Sequence, residues 1–194
     1  MADQDTSSVA VADTAMLEPS ERAGKYLTFK LGAEEYGLAI LKVREIMGLM
    51  DITAVPRTPA FIRGVINLRG KVIPVVDLRT KFGMETTEDT DETCIIVVDV
   101  GEVDDEVEMG IVVDKVSEVL DIEAEDIEDA PSFGSSADTD FILGMGKAED
   151  RVTILLDIGK VLSKEDAVTV ASAETAEIDH EQPAPTERTT VEGD

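Results

Sequence analysis

The apolar residues of this chain fall in short runs rich in Val and Ile, separated by Gly, Pro and Asp. Seven such runs follow one another: YLTFKL, EYGLAI, GVINL, KVIPVVDL, CIIVVDV, EMGIVV and RVTILLDI. Runs of roughly four to eight residues with this composition are typical of strands, and many of them in succession predict an all-β sandwich or barrel. Helical patterning is confined to three short pieces: TPAFIRG, DLRTKFG and DIGKVLSKED.

An internal repeat runs through these strands. The repeated segments are residues 36–46 with 109–119, residues 61–64 with 141–144, and residues 72–78 with 152–158. The segments occur in the same order in both halves, so the chain reads as two copies of one small β unit. Units of this size bury little core alone, and we therefore expect the two copies to pack on each other through an apolar seam.

Composition sets the boundaries of these units. Residues 1–23 and 167–194 are rich in Ala, Ser, Thr, Glu and Pro, and this composition predicts disordered acidic tails. The first unit is expected over residues 24–83 and the second, ending in a short helix, over residues 93–166. Residues 84–92, METTEDTDE, read as an acidic linker between them.

Charge is distributed unevenly along the chain. The formal net charge is -26, yet residues 25–82 hold ten Lys or Arg against five acids, and residues 83–130 hold nineteen acids against one Lys. Nucleic acid is a poor partner for so acidic a protein, because its phosphates would be repelled. Solubility explains the acidic surface most simply, and adaptation to a high-salt cytoplasm is a sharper hypothesis.

The usual chemical groups of enzymes are missing from the expected folded part. The single His, His180, lies in the C-terminal tail, and the single Cys, Cys94, opens an apolar strand without a basic neighbour that would activate it. Phosphate-binding glycine motifs do not occur. We therefore expect no catalysis, no cofactor and no metal. The N-terminal residues do not show a basic segment followed by an apolar one, and no apolar run approaches about 18 residues, so a cytoplasmic protein without a secretory signal or membrane insertion is expected.

Comparison of the two copies separates structural from functional residues. Asp77 and Asp157 end equivalent strands and are expected to cap short helices. The turn N-L-R-G-K at residues 67–71 has no counterpart in the second copy, and this favours a docking role for Leu68 and Arg69, although a solvated turn Arg is the simple alternative.

Val43 and Glu45 recur as Val116 and Glu118. If the copies pack about a pseudo-twofold axis, the two Val residues would line one groove suited to a partner helix. Burial of both valines in the core is the alternative that the sequence leaves open.

Three segments carry a family resemblance. They are L-G-A-E-E-Y-G-L-A-I-L-K-V-R-E-I (Leu31–Ile46), T-P-A-F-I-R-G-V-I-N-L-R-G-K-V-I-P-V-V-D-L-R-T-K-F (Thr58–Phe82) and G-I-V-V-D-K-V-S-E-V (Gly110–Val119). They resemble CheW-type chemotaxis coupling proteins over about residues 24–166. The resemblance implies two SH3-like five-stranded β-barrels packed on each other. It also implies a non-enzymatic adaptor between the regulatory domain of the histidine kinase CheA and the cytoplasmic tip of chemoreceptors, recruited to membrane-bound receptor arrays.

The resemblance also assigns partner surfaces to residues of this chain. The receptor side would comprise Val43, Glu45, Leu68, Arg69 and Val116. The kinase side would comprise Gly64, Cys94 and Ile95. Two other functions stay open at this point: a scaffold that uses the same module in a non-chemotaxis signalling or motility array, and a β-barrel that binds a small molecule.

Overall fold

Short strands form nearly all the regular structure in the computed structural model, which describes residues 19–101, 107–131, 139–148, 150–163 and 166. Eleven strands lie in these residues: β1 Gly24–Leu31, β2 Glu34–Ala39, β3 Val43–Gly48, β4 Ile62–Leu68, β5 Lys71–Asp77, β6 Cys94–Val100, β7 Val107–Val113, β8 Lys115–Ile122, β9 Ile127–Glu128, β10 Ile142–Ala148 and β11 Arg151–Leu156. The all-β prediction is confirmed. The expected tails lie almost wholly outside the described residues, as do the acids at 102–106.

Helical structure is limited to single turns. Three four-residue α-helices are described: α1 Pro19–Arg22, α2 Leu78–Lys81 and α3 Ile158–Val161; two 3-10 turns span Ile40–Lys42 and Ala124–Asp126. Asp77 Oδ1 accepts a hydrogen bond from Thr80 N at 3.0 Å, and Asp157 Oδ1 accepts one from Gly159 N at 3.0 Å. Both shared aspartates therefore cap helices, as the repeat predicted.

One predicted helical piece is not helical. The segment TPAFIRG, residues 58–64, forms a turn and then enters β4. A single turn bond, from Ile62 N to Pro59 O at 2.9 Å, closes this turn, and the chain then pairs with β5. Tertiary pairing therefore overrides the local pattern here.

The strands form two sheets. Sheet A has the order β8-β1-β2-β11-β10-β9, and sheet B has the order β3-β6-β7-β5-β4. Apart from the two-residue β9, the two orders are related by the repeat. The equivalent strands β4 and β10 even carry register shifts at the equivalent positions Gly64 and Gly144.

Sheet membership differs from the division expected at residues 84–92. Hairpin β1–β2 lies in sheet A among strands of the second half, and hairpin β6–β7 lies in sheet B among strands of the first half. Two parallel strand pairs join each hairpin to its sheet: β2 pairs with β11 in sheet A, and β7 pairs with β5 in sheet B. The run CIIVVDV explains why β6 lies inside sheet B, because a strand in which nearly every residue is buried must be covered on both faces.

Three hydrophobic clusters fill the described part of the protein. The largest lies between the sheets and combines Phe29 and Leu38 of sheet A with Val98 and Ile111 of sheet B. Smaller clusters occupy the opposite face of each sheet. The apolar seam expected from the repeat is therefore the main core of the molecule.

Stacked aromatic rings cross this seam. Tyr36 stacks on Phe29 and on Phe82, at centroid distances of 5.9 and 5.8 Å, and Phe82 stacks on Phe141 at 5.4 Å. Phe82 follows α2 in the first half, whereas Phe141 precedes β10 in the second half. The rings thus join the two halves of the chain, and offset stacking adds specificity to the apolar contact.

Candidate functional site

The hairpin between β4 and β5 turns on two residues with positive φ. Arg69 has φ 53° and Gly70 has φ 86°. Two such residues between paired strands are the requirement of a type I′ turn, which Asn-Gly fills most easily. Asn67 Oδ1 supports the turn by accepting a hydrogen bond from Gly70 N at 2.9 Å. An Arg at the first position is therefore held against its backbone preference.

Both cations at this tip are paired with acids on other strands. Arg69 Nη2 donates to Glu45 Oε1 of β3 at 2.8 Å, and the two side chains are 77% and 30% exposed. Lys71 Nζ lies 2.6 Å from Glu108 Oε2 of β7. Since β3 and β4 are the edge strands of sheet B, the Arg69–Glu45 pair brings the two edges of the sheet together.

The second copy carries a related pair, and this revises the contrast drawn from sequence. Arg151, at the position equivalent to Lys71, lies 3.4 Å from Glu118 and 3.7 Å from Glu35. A contact between the repeated Glu, Glu45 or Glu118, and an Arg of the equivalent hairpin, β4–β5 or β10–β11, is thus common to both copies. What distinguishes the first copy is the exposed Arg at the turn itself.

The other residues expected on the receptor side lie close to the apolar clusters. Val43 of β3 and Val116 of β8 are half-buried against the seam core, one on an edge strand of each sheet. Leu68 is half-buried against the smaller cluster of sheet B. The two valines are therefore neither wholly core nor free surface. They form apolar margins of the seam.

The residues expected on the kinase side are more enclosed. Ile95 is fully buried, and Gly64 is buried with φ 140°. A Cβ on Gly64 would lie 2.0 Å from Thr53 O, so the backbone of the loop before β4 occupies the space of a side chain. Cys94 is half-buried, and its Sγ donates to Glu92 O at 3.1 Å. Any contribution of Gly64 and Ile95 to docking is made by supporting neighbouring surface.

Two bidentate ion pairs that the sequence did not reveal hold the ends of the sheets. Arg79 of α2 binds Asp114 between β7 and β8, with Nε 2.6 Å from Oδ1, and Asp114 Oδ2 also accepts from Gly32 N at 2.7 Å. The Arg79 hydrogen bonds lower the pKa of Asp114. Each partner follows an ordinary strand, and nothing in the local pattern marks them as a pair.

The second of these pairs anchors the acidic linker. Arg63 Nη1 and Nη2 lie 2.9 and 2.7 Å from the two carboxylate oxygens of Asp89. This pairing lowers the pKa of Asp89. Residues 85–92 are exposed, so the linker runs over the surface. Besides the Arg63–Asp89 pair, Arg79 Nη1 donates to Glu85 O at 3.0 Å and Lys115 pairs with Glu92.

One surface pocket in the described residues is small and polar. It is lined by Lys30, Ala33, Glu34, Glu35, Arg151 and Val152. Sites for small organic ligands are mostly apolar and enclosed, so this pocket gives little support to the ligand-binding alternative. Within the described residues, every helix falls short of the length and apolar character that a bilayer crossing requires.

Comparison with known proteins gives the family. The model of the CheW-like domain matches residues 25–166, which include both sheets and the hairpin tip. The chain belongs to the CheW family. Among its relatives, chemotaxis protein CheW of Klebsiella aerogenes is 44% identical over 146 residues, covering 75% of this chain and 86% of that protein.

Further CheW relatives include one more sequence and a solved structure. Chemotaxis protein CheW of Bacillus subtilis is 37% identical over 142 residues, covering 73% of this chain and 88% of the relative. The crystal structure of scaffolding protein TtCheW from Thermoanaerobacter tengcongensis matches with a TM-score of 0.64 and 37% identity, covering 72% of this chain and 92% of that one. The CheW-like fold is therefore shared across the described sheets.

Proposed function

We propose that this chain is a non-enzymatic adaptor that couples chemoreceptors to the histidine kinase CheA in chemotaxis signalling arrays. The observation that carries the proposal is membership of the CheW family over residues 25–166, together with relatives named as chemotaxis proteins and a similar structure described as a scaffolding protein. In this role the protein works in the cytoplasm, is recruited to membrane-bound arrays and needs no cofactor.

The geometry of sheet B supports a receptor site at the hairpin tip. The exposed Arg69 pairs with Glu45, which shares β3 with the half-buried Val43, so the tip offers charge and apolar surface together. A helical segment of a partner can place apolar side chains against Val43 and Val116 and an acid near Arg69. Leu68 and Glu45 complete this surface. The cytoplasmic tip of a chemoreceptor, a helical hairpin, is the partner proposed for it.

The regulatory domain of the kinase is proposed to bind elsewhere, on surface supported by Gly64, Cys94 and Ile95. An adaptor has to hold both partners together, so the two surfaces must not overlap. Since Gly64 and Ile95 are buried, the contact itself must be made by exposed residues that pack on them.

Capture of native partners tests the proposal. Tagged protein is purified from its own cells, and the co-purifying proteins are identified. Recovery of a CheA-type kinase together with chemoreceptors is the expected result. Recovery of other signalling or motility components without that kinase would contradict the chemotaxis role and favour the alternative array. Reconstitution with purified kinase regulatory domain and receptor tip then measures each affinity separately.

A further inference from the structure

The loop between β3 and β4 carries an arginine with no role in the adaptor surfaces described above. Arg57 is exposed and has φ 62°. It follows Pro56, and a Pro followed by a residue with positive φ is the pattern of a type II turn, in which Gly or Asn is preferred at the second position. The only positive-φ residues other than glycine in the described part of the chain are Arg57 and Arg69.

Arg57 is also unusual in its electrostatics. Of the seven arginines in the described ranges, six form ion pairs with acids: Arg22, Arg44, Arg63, Arg69, Arg79 and Arg151. Arg57 has no such partner among the described residues. In a chain with 43 acids, a free guanidinium on a strained turn is poorly explained by the stability of the fold.

The loop that presents Arg57 is firmly seated. Thr53 and Val65 exchange two backbone hydrogen bonds of 2.9 Å, and Thr58 Oγ1 donates to Val55 O at 2.8 Å. Val55 is half-buried against the seam core. Gly64 lets the backbone of Thr53 approach so closely that any side chain there would push the loop away. A rigid loop limits the entropy lost when a partner binds.

Arg57 lies away from the receptor tip. Thr53 pairs antiparallel with Val65, so the chain after Thr53 runs back toward the start of β4, whereas Arg69 follows its end. Seven residues of strand separate the two ends by about 20 Å. An adaptor that holds two partners at once needs separate surfaces of this kind.

We propose that residues 53–58 form a second docking element, and that Arg57 binds a carboxylate on the kinase regulatory domain. The inference rests on the proposed adaptor function and deepens it by naming the contact. It also gives Gly64 a role, because this buried glycine positions the loop. The planar guanidinium pairs with a carboxylate in a bidentate manner, which explains why Arg occupies a turn position suited to Asn or Gly.

The test measures affinity for the purified kinase regulatory domain and, separately, for the receptor tip, using the full chain. The variants are Arg57→Asn, which suits the turn but removes the charge, Arg57→Glu, and Lys160→Asn. Lys160 is exposed on α3 and provides the control for a change in net charge. We expect Arg57→Asn to weaken kinase binding at least about tenfold and Arg57→Glu to weaken it more. Lys160→Asn should have no effect.

Folding and partner choice supply the deciding outcomes. Because Asn accepts the positive φ, Arg57→Asn should melt at or above the temperature of the wild type. Receptor binding should be unchanged in both Arg57 variants. Kinase binding of wild-type strength by Arg57→Glu, or loss of receptor binding instead, would overturn the inference while leaving the adaptor function standing. Failure of the wild type to bind the kinase domain would overturn both.

Discussion

Arg69 Nη2 lies 2.8 Å from Glu45 Oε1, and the two residues belong to opposite edges of sheet B. They are far apart in sequence, on strands that do not pair with each other. The contact places the exposed guanidinium of the hairpin tip next to the half-buried valine of β3. The pair links two strands of the fold and also forms part of the proposed docking surface, and substitutions can separate these two roles.

Reversal of the tip charge should impair receptor docking without unfolding the protein. For Arg69→Glu we expect affinity for the receptor tip to fall at least about tenfold, because repulsion from Glu45 reshapes the surface and the Arg contact is lost. The free energy of unfolding should change by no more than about 1 kcal/mol, since the pair is exposed. Lys25→Glu, which reverses the charge of another exposed cation, paired with Asp121, is the control and should leave binding intact. Normal receptor assembly by Arg69→Glu would refute the docking role.

Relief of turn strain at the same position should move stability and binding in opposite directions. Arg69→Asn places a residue preferred in type I′ turns where φ is 53°. We expect the melting temperature to stay equal or rise, corresponding to a gain of up to about 1 kcal/mol, while receptor affinity falls. Thermal unfolding and titration with the receptor tip measure the two effects. A clear loss of stability would show that the Arg69–Glu45 pair outweighs the backbone strain.

The Arg79–Asp114 pair should make stability dependent on acid pH. Its hydrogen bonds lower the pKa of Asp114 in the folded protein below the value of about 3.9 expected in the unfolded chain. A depressed pKa contributes stability above the unfolded value, and this contribution is lost as the pH falls through the folded value. We expect Asp114→Asn to lower the free energy of unfolding by about 2 kcal/mol at neutral pH. The difference from wild type should shrink toward about pH 2.

Urea unfolding across that pH range measures the effect of Asp114. Asp121→Asn is the matched control, because Asp121 and its partner Lys25 are 61% and 62% exposed, whereas Asp114 and Arg79 are 29% and 15% exposed. The control should cost less than about 0.5 kcal/mol. An equal gap between wild type and Asp114→Asn at both ends of the range would contradict the assigned pKa direction.

Gly64 should tolerate a side chain less well than Gly83. A Cβ at Gly64 would meet Thr53 O at 2.0 Å, whereas at Gly83 nothing lies within 4 Å. Both have positive φ, 140° and 69°, so Gly83→Ala controls for backbone strain alone. We expect Gly83→Ala to cost about 1 kcal/mol and Gly64→Ala at least about 2 kcal/mol more. Chemical denaturation measures the free energy of unfolding of each variant. Equal losses in the two variants would show that the loop at Thr53 moves to make room for the side chain.

Salt should stabilise this protein. The net charge of -26 is concentrated in residues 83–130, and self-repulsion among these acids is screened as the Debye length falls from about 10 Å at 0.1 M to about 3 Å at 1 M salt. We expect the melting temperature to rise over this range. Sucrose at matched osmolality controls for general exclusion effects. A melting temperature independent of salt would contradict the hypothesis of adaptation to a high-salt cytoplasm.

Much of the fold could be predicted from local sequence patterns. Seven of the eleven strands follow the seven apolar runs, whereas β3, β8, β9 and β10 do not. The helices α2 and α3 begin after the caps Asp77 and Asp157 that the repeat marked. These features depend on neighbouring residues, because burial on one or both faces of a strand and capping of a helix are encoded within a few positions. The failed helix at 58–64 shows the limit, since pairing with β5 decided its conformation.

The site was accessible only in part. The non-repeated turn singled out Leu68 and Arg69, and the repeat linked Val43 with Val116, which do lie at the margins of one seam. The partner of Arg69 and the burial of Gly64 and Ile95 could not be predicted from the sequence, because these depend on which strands meet in space. Arg57 carried no signal at all, since neither its positive φ nor its lack of an acid partner can be seen in a sequence.

By itself, the sequence determined the all-β class, the repeat and the membership of the CheW family, because local apolar patterns and shared motifs carry that information. Only the tertiary structure decided that the first hairpin of each half, β1–β2 or β6–β7, pairs with strands of the other half. The physical reason is that apolar runs of similar composition can pair in several registers and orders. The choice among them is made by the burial of both faces of β6 and β7 and by ion pairs between residues distant in the chain.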